Sequence, residues 1–173
     1  MPIILGILGA IVAAYFFFIR ARNAGQIAGD VFDAANDVRL AARRFGFRRT
    51  ANRHPMEDVD DPNVACAVVA LSYIQLDGPA SATDHARLKE TLATVLEMSA
   101  QDAEELLILA RWLIDQCNGA SPALSRAARK LYKMQRENAA GPMLGILSEV
   151  AASPSGRQQD ALQDVRVALH LKS

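Results

Sequence analysis

The stretch DPNVACAVVALSYIQLDGP, residues 61–79, indicates a helix with a defined start and end. Asp61 followed by Pro62 is a typical helix start, because aspartate caps free backbone N–H groups and proline fits the first turn. The apolar run that follows stops at Asp77-Gly78-Pro79, which contains helix-ending residues. A helix this short is marginal alone, so the sequence predicts that it packs against others.

Helix-start signals recur farther along the chain, and no strand pattern of any length appears. Ser81 with Asp84 has the spacing of a capping box, and Ser99 repeats the signal with the acid three residues later. Between such signals, apolar residues recur at three- and four-residue steps, and only 6% of the chain is aromatic. We therefore expect an all-α fold, with a helical bundle over 61–152 and a helical tail over 153–173.

The bundle region carries a family pattern. An apolar helix ends in Asp-Gly, as ALSYIQLDG (70–78), and an acid follows at Asp84. A leucine-rich helix, RLKETLATVLEMS (87–99), and a helix with an acidic first turn, SAQDAEELLILARWL (99–113), come next. In this order of elements, region 64–134 resembles the TerB-like domain, an all-helical bundle of bacterial tellurite-resistance proteins and of membrane-anchored J-domain co-chaperones.

The resemblance implies a candidate metal site, but it does not imply the Hsp70 stimulation of the J-domain members. In tellurite-resistance members, acidic residues near these helix ends are linked to divalent-metal binding, and the matching positions are Asp77 and Asp84. Carboxylate oxygens suit hard cations, but an Asp-Gly turn followed by a capped helix explains the same two residues. We expect no other cofactor. His54-Pro55 is followed by Met56 instead of aspartate, so the chain has no J domain and Hsp70 stimulation is not implied.

The segment PIILGILGAIVAAYFFFI, residues 2–19, predicts a transmembrane helix. It is uncharged and just long enough to cross a hydrocarbon core of about 30 Å. Arg20 and Arg22 follow it directly, which by the positive-inside rule places the N-terminus outside and the rest of the chain in the cytoplasm. We therefore expect a single-pass protein of the bacterial inner membrane, with a cytoplasmic helical bundle.

Two features near this segment predict contacts in or beside the membrane. Small residues lie four apart on one helix face, at Gly6, Ala10 and Ala14, and such a face lets another helix approach closely. Residues 20–49 are typical of a basic amphipathic helix, and 50–60 of a polar linker. Anionic lipid is one expected ligand of the basic helix, and a solvated helix face is the alternative. The arginines concerned are Arg20, Arg22, Arg39, Arg43, Arg44, Arg48 and Arg49.

Charge and motifs narrow the function classes. Lysines and arginines number 19, as do aspartates and glutamates, and a net charge of zero is not typical of a general nucleic-acid binder. The sequence has no phosphate-binding loop, zinc-type histidine spacing or nucleophile elbow, so we expect no enzyme. The leading hypothesis is a membrane-anchored helical adaptor for a protein partner, of the kind that serves as an accessory or assembly subunit of a membrane complex. The alternative is a tellurite-resistance-like stress domain that binds a divalent metal.

Overall fold

Residues 35–151 and 153–171, which the structure describes, fold into helices and connecting loops in this computed structural model. All of them except residues 35–37 belong to one compact unit, Val38–Ser173. The helices are α1 (35–44), α2 (Pro62–Ile74), α3 (Ala82–Val95), α4 (Ala100–Gln116), α5 (Ala120–Gln135), α6 (Ala140–Val150) and α7 (Gly156–Ala168). Short 3-10 helices lie at Pro55–Asp58, Gln75–Asp77 and Arg136–Ala139.

Helix α2 is the central element of the bundle. It begins as predicted, with Pro62 at its first position and Asp61 Oδ1 accepting a hydrogen bond from the backbone N–H of Asn63 at 2.8 Å. Every residue from Val64 to Tyr73 is buried. The helix packs chiefly against α5 and α4 and also touches α3, α6 and α7. A helix that is apolar on all sides needs such complete cover, and the neighbours provide it.

Local capping explains where three of the surrounding helices, α3, α4 and α7, begin. The predicted capping box is confirmed at α3, where Ser81 Oγ accepts from the Asp84 N–H and Asp84 accepts from the Ser81 N–H. Ser99 caps α4 through the Asp102 N–H at 3.1 Å. A further box, at Ser155, opens α7. Each box satisfies backbone donors that the first turn leaves free, so these helix starts are fixed by a few adjacent residues.

The structure corrects the predicted membrane span. The segment 2–19 lies outside the described residues, and within the described ranges no helix is long and apolar enough to cross a membrane. Apolar α2 has 13 residues, about 20 Å of helix, against a core of about 30 Å. Helix α4 is longer, with 17 residues, but carries charged side chains, among them Asp102 and Arg111. The all-helical bundle is thus confirmed, whereas the transmembrane helix in the predicted fold class and the predicted single-pass inner-membrane location are not supported.

The segment predicted as a polar linker, 50–60, packs into the bundle. Met56 and Val59 are buried, and Asp58 is nearly so. Asp58 Oδ2 accepts a hydrogen bond from the backbone N–H of Thr50 at 2.6 Å, which satisfies the carboxylate. The 3-10 helix Pro55–Asp58 contacts α4 and α5, so this stretch closes one side of the core.

The C-terminal tail also packs on the bundle. Helix α7 lies against α5, and its buried residues Ala161 and Val165, with Leu169 beyond its end, belong to the main hydrophobic core. Gln158 Nε2 adds a hydrogen bond to the carbonyl oxygen of Tyr73 at 3.3 Å, which ties α7 to the end of α2. The tail is therefore part of the bundle, not an appendage.

One polar atom of α2 leads to a stability prediction. Ser72 is fully buried, and its Oγ has no hydrogen-bond partner among the described residues. A buried hydroxyl without a partner costs its desolvation energy, so Ser72→Ala should raise the free energy of unfolding by about 1 kcal/mol in urea denaturation. Ser148→Ala is the control, because Ser148 is exposed, and should change stability by no more than about 0.5 kcal/mol. A loss of stability in Ser72→Ala would contradict the prediction.

Candidate functional site on helix α5

The two predicted metal ligands lie at the loop between α2 and α3, where one of them has a structural role. Asp84 Oδ2 accepts hydrogen bonds from Ser81 Oγ at 2.6 Å and from Ser81 N at 3.1 Å. The bond from the Ser81 hydroxyl is the largest cause of a pKa of Asp84 below its usual value, and the bond from the Ser81 backbone N–H is the second. Asp77 is exposed at the end of its 3-10 helix. Within the described residues, no group of three or more histidine, cysteine or acidic side chains is arranged to hold a metal. Metal binding at Asp77 and Asp84 stays a prediction without added support.

The predicted membrane contacts fall only partly on described residues. Arg20 and Arg22, with the small-residue face of Gly6, Ala10 and Ala14, lie outside the residues that the structure describes.

Of the remaining arginines in that set, Arg44 contacts another helix. Arg44, at the end of α1, forms ion pairs with Asp102 and, at 2.9 Å, with Glu105. These pairs fix α1 to the first turns of α4. Four others are exposed, at Arg39, Arg43, Arg48 and Arg49. The guanidinium group of Arg44 is therefore used in ion pairs within the bundle. Lipid contact by the other arginines stays a prediction.

A compact polar cluster joins α3 to α4. His85 Nε2 lies 3.0 Å from Glu104 Oε1, and Lys89 Nζ lies 3.2 Å from Glu104 Oε2. The bond from His85 is the first cause of a lowered pKa at Glu104. A carboxyl with a lowered folded pKa stabilises the fold above its unfolded pKa, and this contribution is lost as the pH falls through the folded value. The cluster thus links α3 to α4, and its contribution to stability should decrease when Glu104 becomes protonated.

A basic groove runs along the exposed face of α5 and is the strongest candidate site. Cationic side chains recur at steps of three and four residues, so they lie on one helix face, opposite the face that α5 buries. The cavity between them and the 3-10 helix Pro55–Asp58 has a volume of about 150 Å³. The basic groove is lined by Met56, Glu57, Arg126, Arg129, Lys130 and Lys133.

Among the described residues, Lys130 is the one cation of the groove that has a hydrogen bond and an ion pair from its side chain. Lys130 Nζ donates to the carbonyl oxygen of Glu57 at 2.7 Å and lies 3.7 Å from Asp60 Oδ1. Arg126, Arg129 and Lys133 are exposed and form no ion pair with any residue of the described chain.

The charge of the groove is therefore unbalanced. Its lining holds four cations and one carboxylate, that of Glu57. A concave surface with one dominant sign of charge concentrates the field and attracts groups of the opposite charge. The groove is thus suited to an anionic ligand.

Sequence reasoning missed this groove, although part of its signal was present. The segment RAARKLYK, residues 126–133, has its small and apolar residues at the spacing of a buried helix face, and we used only that half of the pattern. The cations occupy the other half. The opposite wall is the 3-10 helix Pro55–Asp58, which is far from α5 in the chain. Glu57 precedes Lys130 by 73 positions, and no local pattern predicts a contact over that distance.

Comparison with known proteins gives no match: no family model, no curated protein and no solved structure matches this chain. The resemblance to the TerB-like domain accordingly stays a prediction. What the basic groove can bind is therefore inferred from its own residues.

Proposed function

We propose that this protein is a helical binding module that holds an acidic segment of a partner protein in the basic groove. The observation that supports it most is that three cations on α5, Arg126, Arg129 and Lys133, form no ion pair within the described part of the chain, whose full sequence has a formal net charge of zero. Arginine clusters are a common means of recognising acidic motifs, because the guanidinium group binds carboxylates in a bidentate manner.

The spacing of these cations defines the ligand. Arg126 and Lys133 are seven positions apart, so the charged stripe is about 10 Å long at 1.5 Å per helical residue. An extended peptide advances about 3.3 Å per residue and covers this length in about three residues. The preferred ligand is therefore a short extended segment with several acidic side chains close together, such as occurs in exposed loops and tails of proteins.

Lys130 is held in a defined position in the groove. Lys130 is held by Glu57 and Asp60, so its charge is already positioned before a ligand arrives. The neighbouring arginines are free to adapt to carboxylates on either side of it. A partly preorganised site loses less conformational entropy on binding, which favours a specific complex over diffuse attraction. An adaptor or accessory subunit of a protein complex would use such a surface.

Charge reversal in the groove tests this function. The full-length protein is titrated into a fluorescein-labelled tetraglutamate peptide, and binding is followed by fluorescence anisotropy. The double variant Arg129→Glu, Lys133→Glu should weaken binding at least about tenfold, because it replaces attraction by repulsion at both positions. Added salt should weaken binding to the unmodified protein by screening the same charges.

The control is Arg111→Glu, a charge reversal at an exposed position on α4, which should leave the affinity unchanged. Tetraglutamine, with the same length and no charge, should not bind. Circular dichroism checks that each variant is folded. Equal binding by the double variant and the unmodified protein would contradict the proposal, and so would binding to anionic lipid vesicles without binding to the acidic peptide.

A further inference from the structure

A second and larger cavity lies on another side of the bundle, where α6 and α7 diverge over the end of α2. This cleft has a volume of about 530 Å³, within the range of small-molecule sites. Leucines from both helices form its walls, at Leu144, Leu147 and Leu162. It shares no lining residue with the basic groove, so it is an independent site.

Three residues with polar side chains line this mainly apolar cleft: Ser148, whose hydroxyl donates to the carbonyl oxygen of Gly145 at 2.8 Å, Tyr73 and Arg166. Tyr73 lines it from α2 and is only 1% exposed, and its hydroxyl forms no hydrogen bond with another described residue. Burial, with the nearby charge of Asp77 as a smaller cause, raises the pKa of Tyr73, so the phenol stays protonated and can donate. Arg166 lines the cleft from α7, is exposed and has no ion pair within the described ranges.

We propose that this cleft binds a small amphiphilic carboxylate, such as a medium-chain fatty acid. Its carboxylate would accept hydrogen bonds from Arg166 and from the Tyr73 hydroxyl, and its alkyl chain would lie against the three leucines. The guanidinium fork matches a planar carboxylate, and a single cation balances its single charge. A nearly buried hydroxyl without a partner gains an acceptor when such a ligand binds, which offsets its desolvation.

The α6 wall allows the cleft to be filled by mutation. A Cβ atom added at Gly145 would meet no atom within 4 Å, so a side chain can be introduced there without displacing a neighbour. Gly145 lies inside α6, where glycine is a poor helix former, and any other non-proline residue favours the helix more. Gly145→Phe should therefore occupy the cleft in a folded protein.

Calorimetric titration of the full-length protein with octanoate, decanoate and decanol, each kept below its aggregation limit, tests the proposal. Decanoate should bind at a single saturable site about fifteenfold more tightly than octanoate, because it buries two more methylene groups at about fourfold each. Arg166→Gln should weaken decanoate binding at least about tenfold and leave decanol binding unchanged. Gly145→Phe should abolish binding of decanoate and of decanol.

Matched controls separate the cleft from the rest of the surface. Arg111→Gln removes an exposed arginine from α4, and Val167→Phe adds a phenyl group at an exposed position of α7, and both should bind decanoate normally. Thermal melting verifies that Gly145→Phe is folded, and the Arg166 variant decides the outcome if it is not. Absence of saturable binding, or decanoate binding that Arg166→Gln does not weaken, would overturn the proposal.

Discussion

Replacing Leu71 with alanine is expected to lower the free energy of unfolding by about 2–5 kcal/mol. Leu71 is fully buried on α2, and its neighbours along the chain on both sides are buried as well. The loss combines the transfer energy of the deleted atoms with the cavity they leave. Because other helices pack around α2, the site has little freedom to collapse, and the loss should fall in the upper part of this range. Urea denaturation followed by circular dichroism measures it.

The same substitution at the bundle surface is the matched control. Leu40 on α1 is 50% exposed, and Leu40→Ala should change stability by no more than about 0.5 kcal/mol. Similar losses at Leu71 and Leu40 would mean that α2 is not the covered central helix described above. An unchanged slope of free energy against urea in both variants verifies that the unfolded states are comparable.

Alkylation of Cys66 is expected to be at least about a thousandfold slower in the folded protein than in the unfolded chain. Burial, with the carboxylate of Asp61 as a second cause, raises the pKa of the Cys66 thiol from 9.0 to about 12. Near neutral pH the reactive thiolate is then about a thousandth as abundant, and limited access slows the reaction further. Mass spectrometry of the Cys117→Ala variant after timed exposure to iodoacetamide measures the rate at Cys66 alone.

The unfolded reference is the same variant in concentrated urea, where Cys66 should react at the rate of an ordinary thiol. Labelling of the folded protein at that rate would contradict the predicted burial. The raised pKa of Cys66 also makes the stability of the fold depend on pH in the alkaline range. Because the fold keeps this thiol protonated while the unfolded chain releases the proton above pH 9, stability should fall as the pH rises from 9 towards 12.

The starts of α2, α3 and α4 were predictable because each is encoded by a few adjacent residues, whereas α5 and α6 begin without a side-chain cap. Asp61 before Pro62 and the serines at Ser81 and Ser99 cap helices where the sequence indicated. A capping hydrogen bond joins residues two or three positions apart, so local sequence is sufficient. The same reasoning identified the bundle as all-helical.

Features that depend on tertiary contacts were not predictable in this way. The segment 50–60 is polar in composition, yet Met56 is 2% exposed because α4 and α5 cover it. The basic groove needs Lys130 to reach the carbonyl of Glu57, a residue 73 positions away. The cleft needs α6 and α7 to lie on either side of Tyr73, where both helices contribute lining residues. None of these contacts leaves a periodic trace in the chain.

The central position of α2 has a consequence for synthesis on the ribosome. This helix emerges well before α5, its main packing partner, since α3 and α4 lie between them in the chain. A nascent chain that ends at Gly119 carries α2 with a large apolar surface still uncovered, and such surface promotes aggregation. The bundle therefore closes late in translation, and molecular chaperones that hold unfinished chains should engage it until α5 has been made.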